Sequence, residues 1–243
     1  SFTPHYSLKF NYAGSAPATI SAFHTFCHEA HALRVRQMLL VSGSGSRSID
    51  SIACLRSLSE STPHPEIGVA FNPYFPERAA RERERARLRQ KLATGRVAAV
   101  WLQIGTDLQL LSEGLDFLAD VSVERGLQLR LYGSIFVPTR RLLASMKFRP
   151  WNGVFLSAEY TSSVEGAERI TREITALYHE RGVEVLVESA VNNAADWAAA
   201  PRLATCPEAP GAAAEGTPGL RRRPARHAAF EHALGAGALP KLQ

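Results

Sequence analysis

The chain has only three cysteines and no long apolar run, which argues against a disulfide framework and a membrane span. Cysteine occurs only at Cys27, Cys54 and Cys206, an odd number at wide spacing and without a C-x-x-C pair. This pattern predicts free thiols in a reducing compartment, and we expect a cytoplasmic protein. No apolar run approaches the roughly 20 residues that span a bilayer, so we expect no contact with a membrane.

Sequence motifs for several common activities are missing as well. There is no Walker loop, no G-x-G-x-x-G, no G-x-S-x-G and no H-E-x-x-H. His24 and His28 share a helical face, but no third ligand accompanies them, and we predict no metal site. The formal net charge is +5, but the arginines of 78–89 alternate with glutamates. Such a helix face is typical of solvated ion pairs, and we expect no nucleic-acid partner.

The sequence does contain a regular alternation of apolar strands and amphipathic helices. Hydrophobic residues make up 45% and charged residues 21% of 243 residues, as in a globular domain with a substantial core. Strands are predicted at 6–12, 37–41, 67–71, 97–104, 127–132 and 183–187. Helices are predicted at 18–32, 49–58, 77–94, 108–124, 139–146 and 164–181, and residues 147–160 are read as irregular.

A repeat of about thirty residues between most strand starts indicates βαβ units in an α/β protein. We predict a (β/α)8 TIM-barrel type of fold in which about six of eight strands are visible, the missing pair lying before Tyr6. A doubly wound open sheet is the alternative. Residues 1–190 are assigned to the barrel domain. Residues 191–243 are rich in Ala, Pro, Gly and Arg, and this composition predicts a disordered tail.

Three groups of residues are candidates for a site at the carboxyl ends of the strands. Residues 42–46 form a Ser/Gly loop that could hold a phosphate or be a plain tight turn. Gln103 ends a buried strand and could bind the edge of an amide–amidine ring, or simply be a polar residue leaving the core. Glu84, Arg87 and Lys91 share one helical face, for which ion pairing in solvent is the simpler explanation.

The order of four segments resembles the methylenetetrahydrofolate reductase family. QMLLVSGS, IGVAFNPYFPE, LRQKLATG and AAVWLQIGTD match the family's "LALRGD", "GVA-x-YPE-x-H", "LK-x-K-x-x-AG" and "TQ-x-x-x-D" pieces in order and spacing. The later ITREITALYHERGVEVLVES resembles its last helix–strand pair. The resemblance covers about residues 39–188 and implies an FAD-dependent TIM barrel.

The resemblance also implies a role for individual residues. Gln103 falls on the glutamine that contacts folate and nicotinamide. The positions implied to bind the cofactor are Ser42, Gly43, Ser44, Ala70, Asn72, Glu84, Arg87 and Lys91. Two of them depart from the family, because Ser44 replaces an aspartate and Asn72 a tyrosine, and the family's catalytic first-strand glutamate has no counterpart. The catalytic residue is therefore not assigned.

The activity implied by the resemblance is the reduction of 5,10-methylenetetrahydrofolate to 5-methyltetrahydrofolate in one-carbon metabolism and methionine biosynthesis. FAD would be the cofactor, and folate and NAD(P)H would be the small-molecule partners. The alternative is a barrel homologue that has lost flavin binding or catalysis and acts as a binding or regulatory protein. The residues do not fix the oligomeric state, and a homo-oligomer stays open.

Overall fold

A computed structural model describes residues 2–43, 48–189 and 194–205 of the chain. The described residues form one compact unit. The elements are β1 (His5–Ser7), α1 (Ala16–Ala32), β2 (Gln37–Val41), α2 (Ser51–Ser57), β3 (Glu66–Phe71), α3 (Arg78–Leu92), β4 (Val97–Leu102), α4 (Leu108–Arg125), β5 (Arg130–Ile135), α5 (Arg140–Phe148), α6 (Ala158–Ser162), α7 (Val164–Glu180), β6 (Glu184–Val187) and α8 (Ala194–Ala204).

The six strands form one parallel sheet in the order β1-β2-β3-β4-β5-β6, flanked by helices. This α/β architecture is compatible with a partial TIM barrel. A doubly wound sheet requires a reversal of strand order at a switch point, so the sequential order argues against that alternative. Among the described residues β1 and β6 remain the two edges of the sheet.

The sheet curves, as a partial barrel should. The Tyr132 hydroxyl on β5 donates a 3.1 Å hydrogen bond to Oε1 of Gln37 on β2, across the two intervening strands. In a flat sheet these strands would lie about 14 Å apart, with side chains standing perpendicular to the sheet. A direct bond therefore requires that β2 and β5 tilt toward each other. We call the side of the sheet that carries Tyr132 and Gln37 the concave face.

Side chains alternate between the two faces of each strand. The concave face carries a small cluster of Leu39, Ala99, Trp101 and Tyr132, in which Trp101 and Tyr132 stack at 4.3 Å between ring centroids. The other face packs against the helices and supplies most of the core. The strand residues buried there include Tyr6, Met38, Leu40, Ile67, Val69, Phe71, Val100, Leu102 and Ile135.

β1 and β5 differ most from the prediction, each for a local reason, while β3, β4 and β6 differ by only one or two residues at one end. β1 is short because the backbone and side-chain nitrogens of Asn11 both donate to the Ser7 carbonyl, which turns the chain. β5 begins and ends three residues later than predicted. Gly133 lies beyond the predicted strand but within β5, where it pairs with β4 and β6 and the Tyr178 ring occupies the space of a side chain. A Cβ at Gly133 would lie 2.4 Å from that ring.

Helix α8 is the largest correction, because it lies in the segment that was predicted to be disordered. Ala199 and Leu203, spaced i and i+4, are buried in the main core, and the His179 ring is hydrogen-bonded to the Ala204 carbonyl at 2.9 Å. Residues 194–205 are therefore part of the packed structure. Residues 206–243, including Cys206, lie outside the described part, as does Ser44. Helix α6 was also not predicted, and it begins inside the stretch 147–160 that was predicted to be irregular.

Candidate functional site

The carboxyl ends of the parallel strands meet at one edge of the sheet, and most of the predicted site residues lie there. Strand alternation places Gly68, Ala70 and Asn72 of the β3 segment on the concave face, and likewise Trp101 and Gln103 of the β4 segment. In barrel and open-sheet α/β proteins this edge is where ligands bind. We call this edge of the concave face the mouth.

Lys91 is the most constrained of the predicted residues. Its side chain leaves α3, is only 6% exposed, and donates from Nζ to the Ala70 carbonyl at 2.9 Å. Burial lowers the pKa of the Lys91 ammonium, and the nearby Glu84 carboxylate counteracts this. The interpretation of this helix face as a solvated ion-pair surface is therefore wrong for Lys91, which reaches the end of β3.

The neighbours of Lys91 extend the same cluster. Glu84 Oε1 accepts a hydrogen bond from the Asn72 backbone N–H at 3.3 Å. Arg87 lies 3.5 Å from a carboxylate oxygen of Asp50, which caps the start of α2. The structure thus brings the end of β3 and the start of α2 to one face of α3. We call Lys91, Glu84, Arg87 and Asp50 the charged cluster.

The described part of the Ser/Gly loop is tied to the start of α2. The Ser42 hydroxyl accepts from the Ser51 backbone N–H and bonds the Ser51 hydroxyl, both at 3.1 Å. Gly43 has a positive φ of 72°, and a Cβ there would lie 2.6 Å from Lys9 Cβ. Such close approach explains a glycine at this position. The conformation of Ser44 is not described.

Gln103 and Asn72 lie side by side under the loop that precedes α6. Asn72 Nδ2 donates to the Gly153 carbonyl at 2.8 Å, and its Oδ1 accepts from the Tyr74 N–H at 3.1 Å. Gln103 Oε1 accepts from the Ile104 N–H at 2.9 Å, and a Cβ at Gly153 would lie 3.9 Å from Gln103 Nε2. Gln103 is half-buried, and its Nε2 makes no hydrogen bond among those the structure shows.

Sequence reasoning did not identify the polar residues on the far side of the mouth. Ser134 on β5 donates from Oγ to Glu188 Oε1 at 2.5 Å, just beyond the end of β6. The same carboxylate acts on the ring of His5 on β1. Burial lowers the pKa of this ring, and the negative charge of Glu188 partly offsets that effect. Glu188 is a polar residue directly after an apolar strand, as Gln103 is, so the same sequence pattern could have identified it.

Two clefts lie on the helix side, away from the mouth. The larger, of about 470 Å³, is lined by residues that include His24, His28 and Glu29. His24 is hydrogen-bonded to Ser57 at 2.9 Å.

The part of the chain that the structure describes contains no group of three or more His, Cys, Asp or Glu side chains that could hold a metal ion. In the same part, no helix is both long and apolar enough to cross a bilayer.

Comparison with known proteins gives little beyond the structure itself. No protein-family model matches the sequence, and no curated protein matches it. A solved structure of an uncharacterized protein from Clostridium thermocellum, which binds two copies of 5-methyl-5,6,7,8-tetrahydrofolic acid, aligns with a TM-score of 0.46 at 12% identity. The alignment covers 84% of this chain and 94% of that chain. A TM-score below 0.5 does not establish a shared fold or ligand.

Proposed function

We propose that the protein is a flavin-dependent oxidoreductase that binds a folate-type substrate at the mouth and converts 5,10-methylenetetrahydrofolate to 5-methyltetrahydrofolate. One observation carries the proposal. Lys91 and Glu84 of α3 and Gln103 after β4, which the family resemblance singles out, all reach the carboxyl ends of β3 and β4. A resemblance in the order of sequence segments does not by itself require that these side chains lie at the same edge of the sheet.

The donor set of the charged cluster suits the phosphate and ribityl oxygens of FAD. Lys91 and Arg87 are cations, and Ser42 and Ser51 add hydroxyl groups beside them. Ala70, near the end of β3, has a small side chain, and the resemblance implies that it would line the flavin ring. When bound there, FAD would supply hydride transfer, with NAD(P)H as the electron source.

The protein's own contribution would be binding and orientation. The Gln103 amide offers an N–H donor to the polar edge of a pterin, while its Oε1 is fixed by the Ile104 amide. Because that backbone bond sets the side-chain rotamer, little conformational entropy would be lost on binding. Asn72 is held by Gly153 and Tyr74, so it would support the mouth rather than reach a ligand.

The second candidate is a folate-binding homologue without flavin, and it too has support. Lys91 already donates to Ala70, and Arg87 already pairs with Asp50, so neither cation is without a partner in the protein. The aspartate that the family places in the Ser/Gly loop is Ser44 here. These features are compatible with a barrel that has kept the substrate side of the mouth and lost the cofactor.

Flavin retention separates the two candidates. The full chain should be incubated with FAD, passed through a desalting column and scanned for flavin absorbance at about 450 nm. A flavoprotein should retain FAD, and Lys91→Met should reduce the retained fraction. Arg89→Gln is the matched control, because Arg89 lies on the same helix but pairs with Glu124. Folate binding by wild-type protein that retains no FAD would favour the second candidate.

A further inference from the structure

Three polar side chains from three neighbouring strands form a row across the mouth. β4 and β5 pair Leu102 with Gly133, so Gln103 and Ser134 are the next residues along both strands. They share the concave face, because Trp101 and Tyr132 two positions earlier are stacked there. Ser134 is 4% exposed, and its hydroxyl is hydrogen-bonded to Glu188.

Glu188 completes the row. β5 and β6 pair Ser134 with Leu186, so Glu188 follows two residues later on the same face of β6. Its backbone N–H donates to the Ile135 carbonyl at 2.9 Å, which extends the β5–β6 ladder to this residue. The next residue is anchored as well, because Ser189 Oγ accepts from the Val137 N–H at 2.6 Å. The backbone of Glu188 is therefore held, although its side chain is exposed.

The hydrogen-bond acceptors of the row suit a ligand whose edge carries N–H groups. Ser134 donates to Oε1 of Glu188, which aligns the carboxylate and leaves Oε2 without a hydrogen bond among those the structure shows. A carboxylate only accepts hydrogen bonds when ionised, and it can accept two parallel N–H groups from an amidine-like edge. Gln103 lies two strands away and two residues lower on the same face, about 12 Å between backbones by strand spacing and rise, a distance that a bicyclic heterocycle and the two side chains can span.

We propose that Glu188, aligned by Ser134, selects ligands that carry a 2-amino-substituted ring with an adjacent ring N–H, the pterin edge. The inference rests on the proposed folate-type substrate and names the group that would distinguish it from other planar heterocycles. Glu188 is thus a specificity-determining residue and Ser134 a positioning residue. A pteridine with oxygen in place of the 2-amino group would present an acceptor to the carboxylate and be rejected.

The test compares pterin with lumazine, which carries that oxygen, by titration of the full chain. Wild-type protein should bind pterin more tightly by roughly tenfold to a hundredfold, the usual effect of one unpaired polar contact. Glu188→Gln should lose most of this preference, and Ser134→Ala should lose part of it. Glu184→Gln is the matched control. Glu184 lies on the same face of β6, four residues away at the opposite end of the strand, and its substitution should change nothing.

The possible failures are distinguishable. If Gln103→Ala abolishes pterin binding while Glu188→Gln keeps the wild-type preference over lumazine, the role of Glu188 is overturned and the folate site stands. If wild-type protein binds neither pterin nor a tetrahydrofolate, the proposed function and this inference both fail. Equal loss of preference in Glu188→Gln and Glu184→Gln would assign the effect to net charge and also overturn the proposal.

Discussion

Substitution of Leu203 by alanine tests whether α8 is part of the folded domain. Leu203 is 2% exposed and packs in the main core. Truncating a buried leucine to alanine costs about 2–5 kcal/mol of stability, because the free energy of burying the lost atoms and the cost of the remaining cavity add. A domain of this size has roughly 5–15 kcal/mol of stability in total, so the loss should be a large fraction of it. The melting temperature should fall by roughly 4–20 °C.

The assay is thermal and urea denaturation followed by far-UV circular dichroism, with Trp197→Ala as the control. Trp197 lies on the same helix but is 63% exposed, so its substitution should change stability by only about 0.5 kcal/mol or less. Circular dichroism avoids the change in fluorescence that loss of a tryptophan would cause. If Leu203→Ala and Trp197→Ala unfold at the same temperature, α8 does not pack on the core.

Two further predictions concern the core. Gly133→Ala should destabilise the fold by about 1–3 kcal/mol, measured by urea denaturation, because its Cβ would lie 2.4 Å from the Tyr178 ring. An unchanged midpoint would show that the ring can move away. Burial raises the pKa of the Cys27 and Cys54 thiols from 9.0 to about 12, so the folded state holds protons that the unfolded state has lost. Stability from these thiols should be intact below about pH 9 and decline toward about pH 12, and Cys54→Ala should weaken that decline.

The sequence predicted the elements whose pattern is local. β2 agrees with its prediction at both ends, and α4 and α7 differ from theirs by one residue each, because their apolar spacing and end residues are set by nearby sequence. The place of Gly133 within β5 was not predicted from local sequence. The ring that fills the space of its side chain belongs to Tyr178, about 45 residues later in the chain. Helix α8 was missed because the residues described as buried on it, Ala199 and Leu203, give a weak apolar pattern within an alanine-rich segment.

The candidate site was predictable in part, for a similar reason. Gln103 and Lys91 were found from position and resemblance, and the structure places both at the carboxyl ends of the strands. The burial of Lys91 was not predicted, since it depends on how α3 packs over β3. The row that ends at Glu188 was not predicted either, because strand register decides which residues of β4, β5 and β6 become neighbours.

The central claim is that the mouth binds a folate-type ligand through Gln103. The most direct measurement is a titration of wild-type protein and Gln103→Ala with 5-methyltetrahydrofolate, at matched flavin content. We expect the substitution to weaken binding by about 1–3 kcal/mol, the cost of leaving a polar group of the ligand unpaired. Flavin content should stay the same, because Lys91, Arg87 and Ser42 lie outside the Gln103 contact. Equal folate affinity of the two proteins would contradict the claim and remove Gln103 from the site.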